Sequence, residues 1–139
     1  MPGSLSWQSA HAKAVAMVSQ MTLEERANIT VGFGTSNTLC AGVTGSVPRL
    51  GVKGLCLADA GQGLRNTDHV NAYPAGISAG ASWNKALTLQ RAAHMASEFK
   101  RKGVNVLLGP VIGGMGRVAR GGRNWEAFSN DRKWSSQLR

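Results

Sequence analysis

The order strand, helix, strand in the middle of the chain is the feature that most constrains its fold. Residues 54–58 are a short apolar run that stops at Asp59, and residues 104–108 are a second apolar, β-branched run. Between them the spacing predicts a helix over residues 83–102 with Ser82 as its N-cap. A helical crossover joins parallel strands, so the fold class is α/β. Because such folds carry their chemistry at the carboxyl ends of the strands, Asp59 and the loop after the second strand are expected on one face.

Two further helices are predicted before the first strand. Residues 7–21 place apolar side chains at three- and four-residue spacing, which is typical of an amphipathic helix. Thr22 and Glu25 fit a capping box that opens a second helix over residues 23–31. Residues 35–49 have the composition of a loop.

The net charge of +9 is concentrated near the end of the chain. Residues 100–139 contain nine Lys or Arg and two acids, whereas residues 1–99 contain seven and five. This cluster suits a nucleic-acid-binding segment, with Trp125 and Trp134 as stacking platforms, or a piece of a larger protein whose acids lie elsewhere. The acids Glu126 and Asp131 interrupt the basic segment and disfavour the nucleic-acid interpretation.

A glycine pattern in the same region is similar to the motif that binds dinucleotide cofactors. Residues 114–119 read G-x-G-x-x-A after a strand, but Arg120-Gly121-Gly122 follows them, which is a poor start for a helix. No acid lies about 20 residues further on at the end of another strand. We therefore expect no cofactor, and we predict no metal site.

The polar loop R-G-G-R-N-W-E, residues 120–126, has the residue types of a sugar site. Sugar hydroxyls both donate and accept, so such a site uses a carboxylate, a multi-donor arginine and an aromatic face. Asp59, Arg123 and a neighbouring tryptophan supply these groups. From the residues alone, we prefer structural roles to a sugar site. Asp59 would then cap a helix or bind loop backbone, and Arg123 would form a structural ion pair.

The two cysteines do not decide between a cytosolic and a secreted protein. Cys40 and Cys56 are two buried thiols in a cytosolic protein, whereas in a secreted protein they form a disulfide worth about 3 kcal/mol. Asn28 begins an N-glycosylation sequon. Residues 1–13 lack the basic and apolar regions of a signal peptide. No apolar run reaches the roughly 18 residues of a membrane span.

Six short motifs together resemble the N-terminal part of glycoside hydrolase family 3, most closely the secreted fungal β-glucosidases. The resemblance covers about residues 7–131, and the order and spacing of the motifs make it specific. The motifs are QMTLEE (20–25), TGSVPRLG (44–51), LCLAD (55–59), YPAG (73–76), LGP (108–110) and RGGRNWEAF (120–128).

The resemblance implies that residues 1–139 are a single partial domain, the opening part of a (β/α)₈ TIM-like barrel that is incomplete in this chain. It also implies a retaining enzyme that releases terminal β-D-glucose from cello-oligosaccharides and other β-glucosides. The family's nucleophile and acid/base residue align beyond this chain, so the chain alone is expected to be inactive. An open barrel also exposes a strand edge and an apolar helix face, which favour aggregation.

The resemblance implies three substrate-binding residues. Asp59 falls on the aspartate of the family's L-C-L-x-D motif, which binds hydroxyls of the departing glucose. Arg123 falls on the second arginine of that family's polar loop, and Arg65 falls on an arginine six residues after the aspartate. The two cysteines and the Asn28 sequon look like the secreted fungal pattern, which implies a disulfide, a glycan and an extracellular location.

Two segments depart from the family pattern. The family aspartate is usually followed by Gly-Pro or Ser-Pro, but here Ala60-Gly61 follows it. Residues 132–139 do not resemble the family, and Glu126 matches no catalytic position, so it is expected to support the arginines of its own loop. The expected partner is a β-glucoside, not nucleic acid or a membrane. The alternative function is a non-catalytic remnant that binds sugar or a partner.

Overall fold

The computed structural model describes residues 6–35, 38–112 and 118–131. The described residues form four α-helices, four strands and two 3₁₀ turns. They are α1 Trp7–Val18, α2 Leu23–Thr30, β1 Gly32–Gly34, β2 Gly42–Thr44, the turn Pro48–Leu50, β3 Cys56–Asp59, α3 Gly76–Ala81, α4 Lys85–Arg101, β4 Val106–Leu108 and the turn Asn124–Glu126. This mixed α/β content agrees with the predicted class, whereas closure into a barrel remains a prediction.

The chain divides into two compact units. The first consists of Met1–Gly34 and Val43–Leu55, and the second of Thr35–Gly42 and Cys56–Arg139. Two regions singled out from the sequence lie outside the described residues, namely the tail 132–139 and most of the G-x-G-x-x-A pattern at 114–119.

The helices of the first unit begin as predicted. Thr22 and Glu25 form the expected capping box, in which the Thr22 N–H donates to Glu25 Oε2 at 2.9 Å and the Glu25 N–H donates to Thr22 Oγ1 at 3.3 Å. α1 ends at Val18, three residues earlier than predicted. The side chains of Ser19 and Gln20 both donate to the Ala16 carbonyl there, which satisfies an acceptor that the helix leaves unpaired.

Arg49 ties the Pro48–Leu50 turn to the start of α2. Its Nε and Nη2 atoms donate to the two Glu25 carboxylate oxygens at 2.9 and 2.7 Å, and Nη2 also donates to the Gln20 carbonyl. The Arg49 hydrogen bond and then the Thr22 N–H hold the pKa of Glu25 below its ordinary value. One arginine thus joins a turn, a helix start and the segment between α1 and α2.

The prediction of an unbroken loop over residues 35–49 was wrong. β2 and the Pro48–Leu50 turn both lie within it. The Thr44 N–H donates to the Leu55 carbonyl at 3.1 Å, and the Leu55 N–H donates to Thr44 Oγ1 at 2.9 Å. These bonds join residues eleven positions apart, and loop-like composition does not reveal such pairing.

The second unit contains the predicted parallel pair. β3 and β4 are parallel, and Asp59 at the end of β3 lies opposite Leu108 at the end of β4. α4 connects them, as expected, and packs Met95 and Phe99 into the core. The buried cluster consists of Cys56, Ala58, Ala60, Leu64, Met95, Phe99 and Val104.

Two local details of the crossover differ from the predictions. Asn84, not Ser82, caps α4, because the Asn84 side chain accepts the Leu87 N–H at 3.0 Å. The Ser82 hydroxyl instead donates to the Ala79 carbonyl, at the end of the unpredicted helix α3. α3 has the sequence GISAGA, which lacks the polar–apolar period by which helices are recognised.

A disulfide joins Cys40 to Cys56 at the start of β3, with 5.3 Å between the Cα atoms. Next to it, the Cys56 N–H donates to Asn105 Oδ1 at 2.9 Å and the Asn105 N–H donates to the Cys56 carbonyl at 3.0 Å. The first residue of β3 is therefore held by a covalent bond to Cys40 and by two hydrogen bonds to Asn105.

Two glycines let α3 pack directly on the backbone of residues 126–128. A Cβ atom at Gly76 would overlap the Glu126 carbonyl oxygen, and one at Gly80 would overlap the Phe128 carbonyl oxygen. Because the two glycines are four residues apart, they lie on the same face of α3. This contact fixes the segment that directly follows the polar loop 120–126.

Replacing Glu25 by Gln should reduce the loss of stability in acid. Since the folded-state pKa of Glu25 lies below the ordinary 4.5, its stabilising contribution is present above the ordinary pKa and disappears as pH falls through the lowered one. We expect the Tm, followed by circular dichroism from pH 7 to pH 3, to fall less in Glu25→Gln than in the wild type. Asp68→Asn is the control, and identical acid-side slopes in wild type and Glu25→Gln would contradict the prediction.

Replacing Gly80 by Ala should destabilise the chain by about 1–3 kcal/mol, because the added methyl group meets backbone that is packed in place. Gly32→Ala is the matched control, since a Cβ atom there meets nothing within 4 Å. Urea unfolding of both variants gives the free energies. Equal stability of Gly80→Ala and Gly32→Ala would show that residues 126–128 are not held by this contact.

Candidate functional site

A cavity of about 890 Å³ lies in the second unit at the carboxyl ends of β3 and β4. Its wall includes Asp59, Arg65, Arg123 and Trp125, together with apolar residues of α4 and of the segment after β4. Asp59 and the loop 120–126 therefore lie on one face, as the parallel arrangement predicted. The three residues singled out from the sequence, Asp59, Arg65 and Arg123, line the same space.

Asp59 and Arg65 form an ion pair within the loop that follows β3. Arg65 Nη1 lies 3.3 Å from Asp59 Oδ2, and both side chains are about half exposed. Asp59 is fixed because it is the last residue of a strand whose partner is β4. Gly63, with a φ of +116°, allows the turn that brings Arg65 back towards the strand end.

Arg123 and Glu126 form a second, bidentate ion pair. Arg123 Nε and Nη2 donate to Glu126 Oε1 and Oε2, each at 2.9 Å. The Glu126 side chain is only 10% exposed, whereas that of Arg123 is 85% exposed. The expectation that Glu126 supports an arginine of its own loop is confirmed by this contact.

The two ion pairs belong to one cluster of alternating charge, formed by Asp59, Arg65, Arg123 and Glu126. The hydrogen bond from Arg123 chiefly lowers the pKa of Glu126, and the positive charge of Arg65 lowers it further. The pKa of Arg123 is raised chiefly by its hydrogen bond to Glu126, and the negative charge of Asp59 adds to that effect. Each pair therefore lies within electrostatic reach of the other.

Trp125 lies against the loop that carries Asp59. A Cβ atom on Gly61 would be 3.3 Å from Trp125 Cη2, and the Trp125 Nε1–H donates to the Gly122 carbonyl at 2.9 Å. The absence of a side chain at Gly61 thus leaves room for the indole ring. This contact gives a physical reason for a glycine at the position where the sequence departs from the Gly-Pro or Ser-Pro pattern.

α4 fastens the loop after β3 through polar side chains that the sequence did not single out. The buried carboxylate of Glu98 accepts the backbone N–H of Asn71 and its side-chain amide. Lys102, the C-cap residue of α4, donates through Nζ to the Asp68 carbonyl at 2.7 Å. The available signal was the helical spacing of these residues, because Glu98 and Lys102 are four residues apart and share one face of the helix.

Arg91 lies on that face about two turns before Glu98, and it too contacts backbone. Its guanidinium donates to the carbonyl oxygens of Gly61 and Pro74. Arg91 has the same four-residue spacing as Leu87, Met95 and Phe99, of which Met95 and Phe99 are buried in the core. The guanidinium therefore makes its polar contacts beside apolar side chains of the same helix face.

The remaining predicted sites are only partly characterised. Asn28 lies in α2, and its Nδ2 atom, to which a glycan would attach, donates to the Ser46 carbonyl at 2.9 Å. Glycosylation at Asn28 stays a prediction. Within residues 6–35, 38–112 and 118–131, no three His, Cys, Asp or Glu side chains are grouped as metal ligands. No helix in the same ranges has the length and hydropathy to cross a bilayer.

Comparisons with known proteins agree on one family. No protein-family model matches the sequence. β-Glucosidase cel3A of Pyricularia oryzae is 60% identical over 131 residues, which are 94% of this chain and 17% of that protein. Probable β-glucosidase M of Aspergillus fumigatus is 56% identical over 136 residues, which are 98% of this chain and 18% of that protein.

Solved structures give the same result. A glycoside hydrolase family 3 β-glucosidase of Neurospora crassa matches 97% of this chain and 16% of its own with a TM-score of 0.82 and 42% identity. β-Glucosidase 3B of Thermotoga neapolitana, in complex with glucose, matches 91% of this chain and 20% of its own with a TM-score of 0.77 and 31% identity. The predicted resemblance is therefore confirmed: the chain is homologous to the β-glucosidases of glycoside hydrolase family 3 and spans a fifth or less of the length of these relatives.

Proposed function

We propose that this chain supplies the glucose-binding part of a retaining β-glucosidase active site. In this proposal the substrate is a cello-oligosaccharide or another β-glucoside with a terminal β-D-glucose. The nucleophile and the acid/base carboxyl group belong to a part of such an enzyme that these 139 residues do not include. The cluster Asp59, Arg65, Arg123 and Glu126 on the wall of one cavity is the observation that carries the proposal.

The cluster offers the hydrogen-bonding groups that neighbouring hydroxyls require. An ionised carboxylate accepts through two oxygens, and Asp59 uses one of them for Arg65. Each guanidinium has five N–H donors, of which the ion pairs take one on Arg65 and two on Arg123. The side chains of Asp59 and Arg65 are about half exposed and that of Arg123 is mostly exposed, so their remaining donors and acceptors can bind one sugar ring.

The ionisation of Glu126 argues against a catalytic role for it. A glycosidase acid needs a raised pKa so that it still carries a proton near neutral pH. The pKa of Glu126 is lowered by its bond to Arg123. Glu126 thus acts as a support for Arg123, in keeping with a chain that binds sugar without cleaving it.

We also propose that the parent enzyme acts outside the cell. The Cys40–Cys56 disulfide belongs to an oxidising compartment, because cytosolic thiols are usually kept reduced. The Asn28 sequon agrees with secretion, and mass spectrometry of the native protein would detect a glycan there.

Asp59→Asn and Arg123→Met should each weaken glucose binding about tenfold or more. Each change removes hydrogen bonds to a charged group, which contribute about 1.5–3 kcal/mol. Titration of the ¹⁵N-labelled chain with glucose, followed by NMR, gives the affinities, with Asp68→Asn as the control for loss of a surface carboxylate. Unchanged affinity in Asp59→Asn would remove Asp59 from the site, and no binding by the wild type would refute the proposal for this chain.

The isolated chain should not hydrolyse an aryl β-glucoside, whereas a chimaera should. In the chimaera, the 131 matching residues of this chain replace the 60% identical segment of the Pyricularia oryzae β-glucosidase. We expect activity in the chimaera and its loss, by at least tenfold, on Asp59→Asn. Turnover by the isolated 139-residue chain would contradict the first expectation. A folded but inactive chimaera would contradict the second and favour a non-catalytic binding role.

A further inference from the structure

One arginine in the middle of α4 contacts both segments that carry the polar cluster. Arg91 Nε donates to the Pro74 carbonyl at 2.9 Å, and Nη2 donates to the carbonyls of Pro74 and Gly61 at 2.6 and 3.2 Å. Gly61 lies near the start and Pro74 near the end of the loop that carries Arg65. A single guanidinium therefore closes this loop at its base.

The same guanidinium contacts the segment that follows Arg123. The Arg91 Cζ atom lies 5.7 Å from the centroid of the Phe128 ring, within the range of a cation–π interaction. Phe128 is in turn held by its backbone against Gly80 of α3. The contact thus connects the loop after β3 with the loop that contains Arg123 and Trp125.

Arg91 is enclosed to a degree that requires these partners. Burial lowers the pKa of its guanidinium, so the charge is partly removed from water. A partly desolvated charge is retained where its hydrogen-bonding capacity is satisfied. Two backbone carbonyls and one aromatic face provide that satisfaction here.

The link extends to the indole ring of the site. The Gly61 carbonyl that accepts from Arg91 belongs to the residue on which Trp125 rests. A shift of Gly61 would therefore move the surface under the indole ring, and a shift of Phe128 would move the far end of the same loop. Both walls of the cavity are connected to Arg91.

We propose that Arg91 is a positioning residue that sets the distance between the Asp59–Arg65 pair and the Arg123–Glu126 pair. It acts through backbone carbonyls and the Phe128 ring, without using the sugar hydroxyls. This role rests on the proposed sugar-binding function only for its biological purpose, since the geometry it controls exists in the free chain.

Lysine cannot replace Arg91 in this role. A planar guanidinium can donate in two directions at once while its positive charge lies over an aromatic ring, whereas an ammonium group is a compact point charge. Arg91→Lys keeps the positive charge and loses the paired N–H donors of the guanidinium. It therefore distinguishes an effect of the donor geometry from an effect of the charge. Arg91→Gln removes both, and Lys100→Gln is the control for loss of an exposed cation on α4.

The test is an NMR comparison of these variants of the full 139-residue chain. The reporters are the Trp125 Nε1–H and Arg123 Nε–H signals, assigned with Trp125→Phe and Arg123→Lys. We expect both signals to shift in Arg91→Lys and Arg91→Gln and to stay in place in Lys100→Gln. Glucose affinity should fall about tenfold in both Arg91 variants. A merely stabilising residue would lower the Tm and leave the two signals unmoved.

The outcomes separate this inference from the proposed function. Unmoved reporter signals in a folded Arg91→Lys or Arg91→Gln variant overturn the positioning role, whatever the glucose affinity. Shifted signals in a chain that binds no glucose keep the positioning role and reject sugar binding. If both Arg91 variants fail to fold, Phe128→Leu replaces them. It keeps an apolar side chain and removes the aromatic face, and unmoved signals in that variant would overturn the inference.

Discussion

Hydrogen bonds from one face of α4 to the backbone of the loop after β3 are the interaction on which the site depends. Arg91, Glu98 and Lys102 are separated by seven and four residues, so they lie on the same side of the helix. A long loop over a small sheet leaves many backbone groups without strand or helix partners. α4 supplies those partners, and Asp59 and Arg65 consequently face the cavity in a fixed geometry.

The loop that contains Arg123 is held by packing rather than by hydrogen bonds from α4. Close backbone packing on Gly76 and Gly80 of α3 fixes residues 126–128, and the nearly buried carboxylate of Glu126 then orients Arg123. The polar cluster therefore lies on two loops, one held by side-chain hydrogen bonds and the other by close backbone packing. The two arrangements meet at Arg91, which contacts both loops.

The sequence predicted those parts of the fold that depend on local patterns. The parallel βαβ unit, the Thr22 capping box and the place of Asp59 at a strand end follow from hydrophobic runs and caps, which neighbouring residues determine. α3 was missed because its glycines serve contact with distant backbone. β2 was missed because its partner Leu55 is remote in sequence. For the candidate site, residue types alone left structural roles for Asp59 and Arg123 open, and family resemblance was needed to add Arg65.

The alternating cluster has a consequence for selectivity. Its two carboxylates and two guanidiniums cancel, so the cluster itself has no net charge although the whole chain carries +9. A neutral cluster adds no long-range attraction for a polyanion or an acidic sugar. In the proposed function, the cluster discriminates among uncharged ligands by the directions of their hydroxyl groups. Salt screens distant charges and has little effect on contacts at such short range. In the proposed function, stereochemistry rather than charge is thus the property by which the cluster distinguishes its ligands.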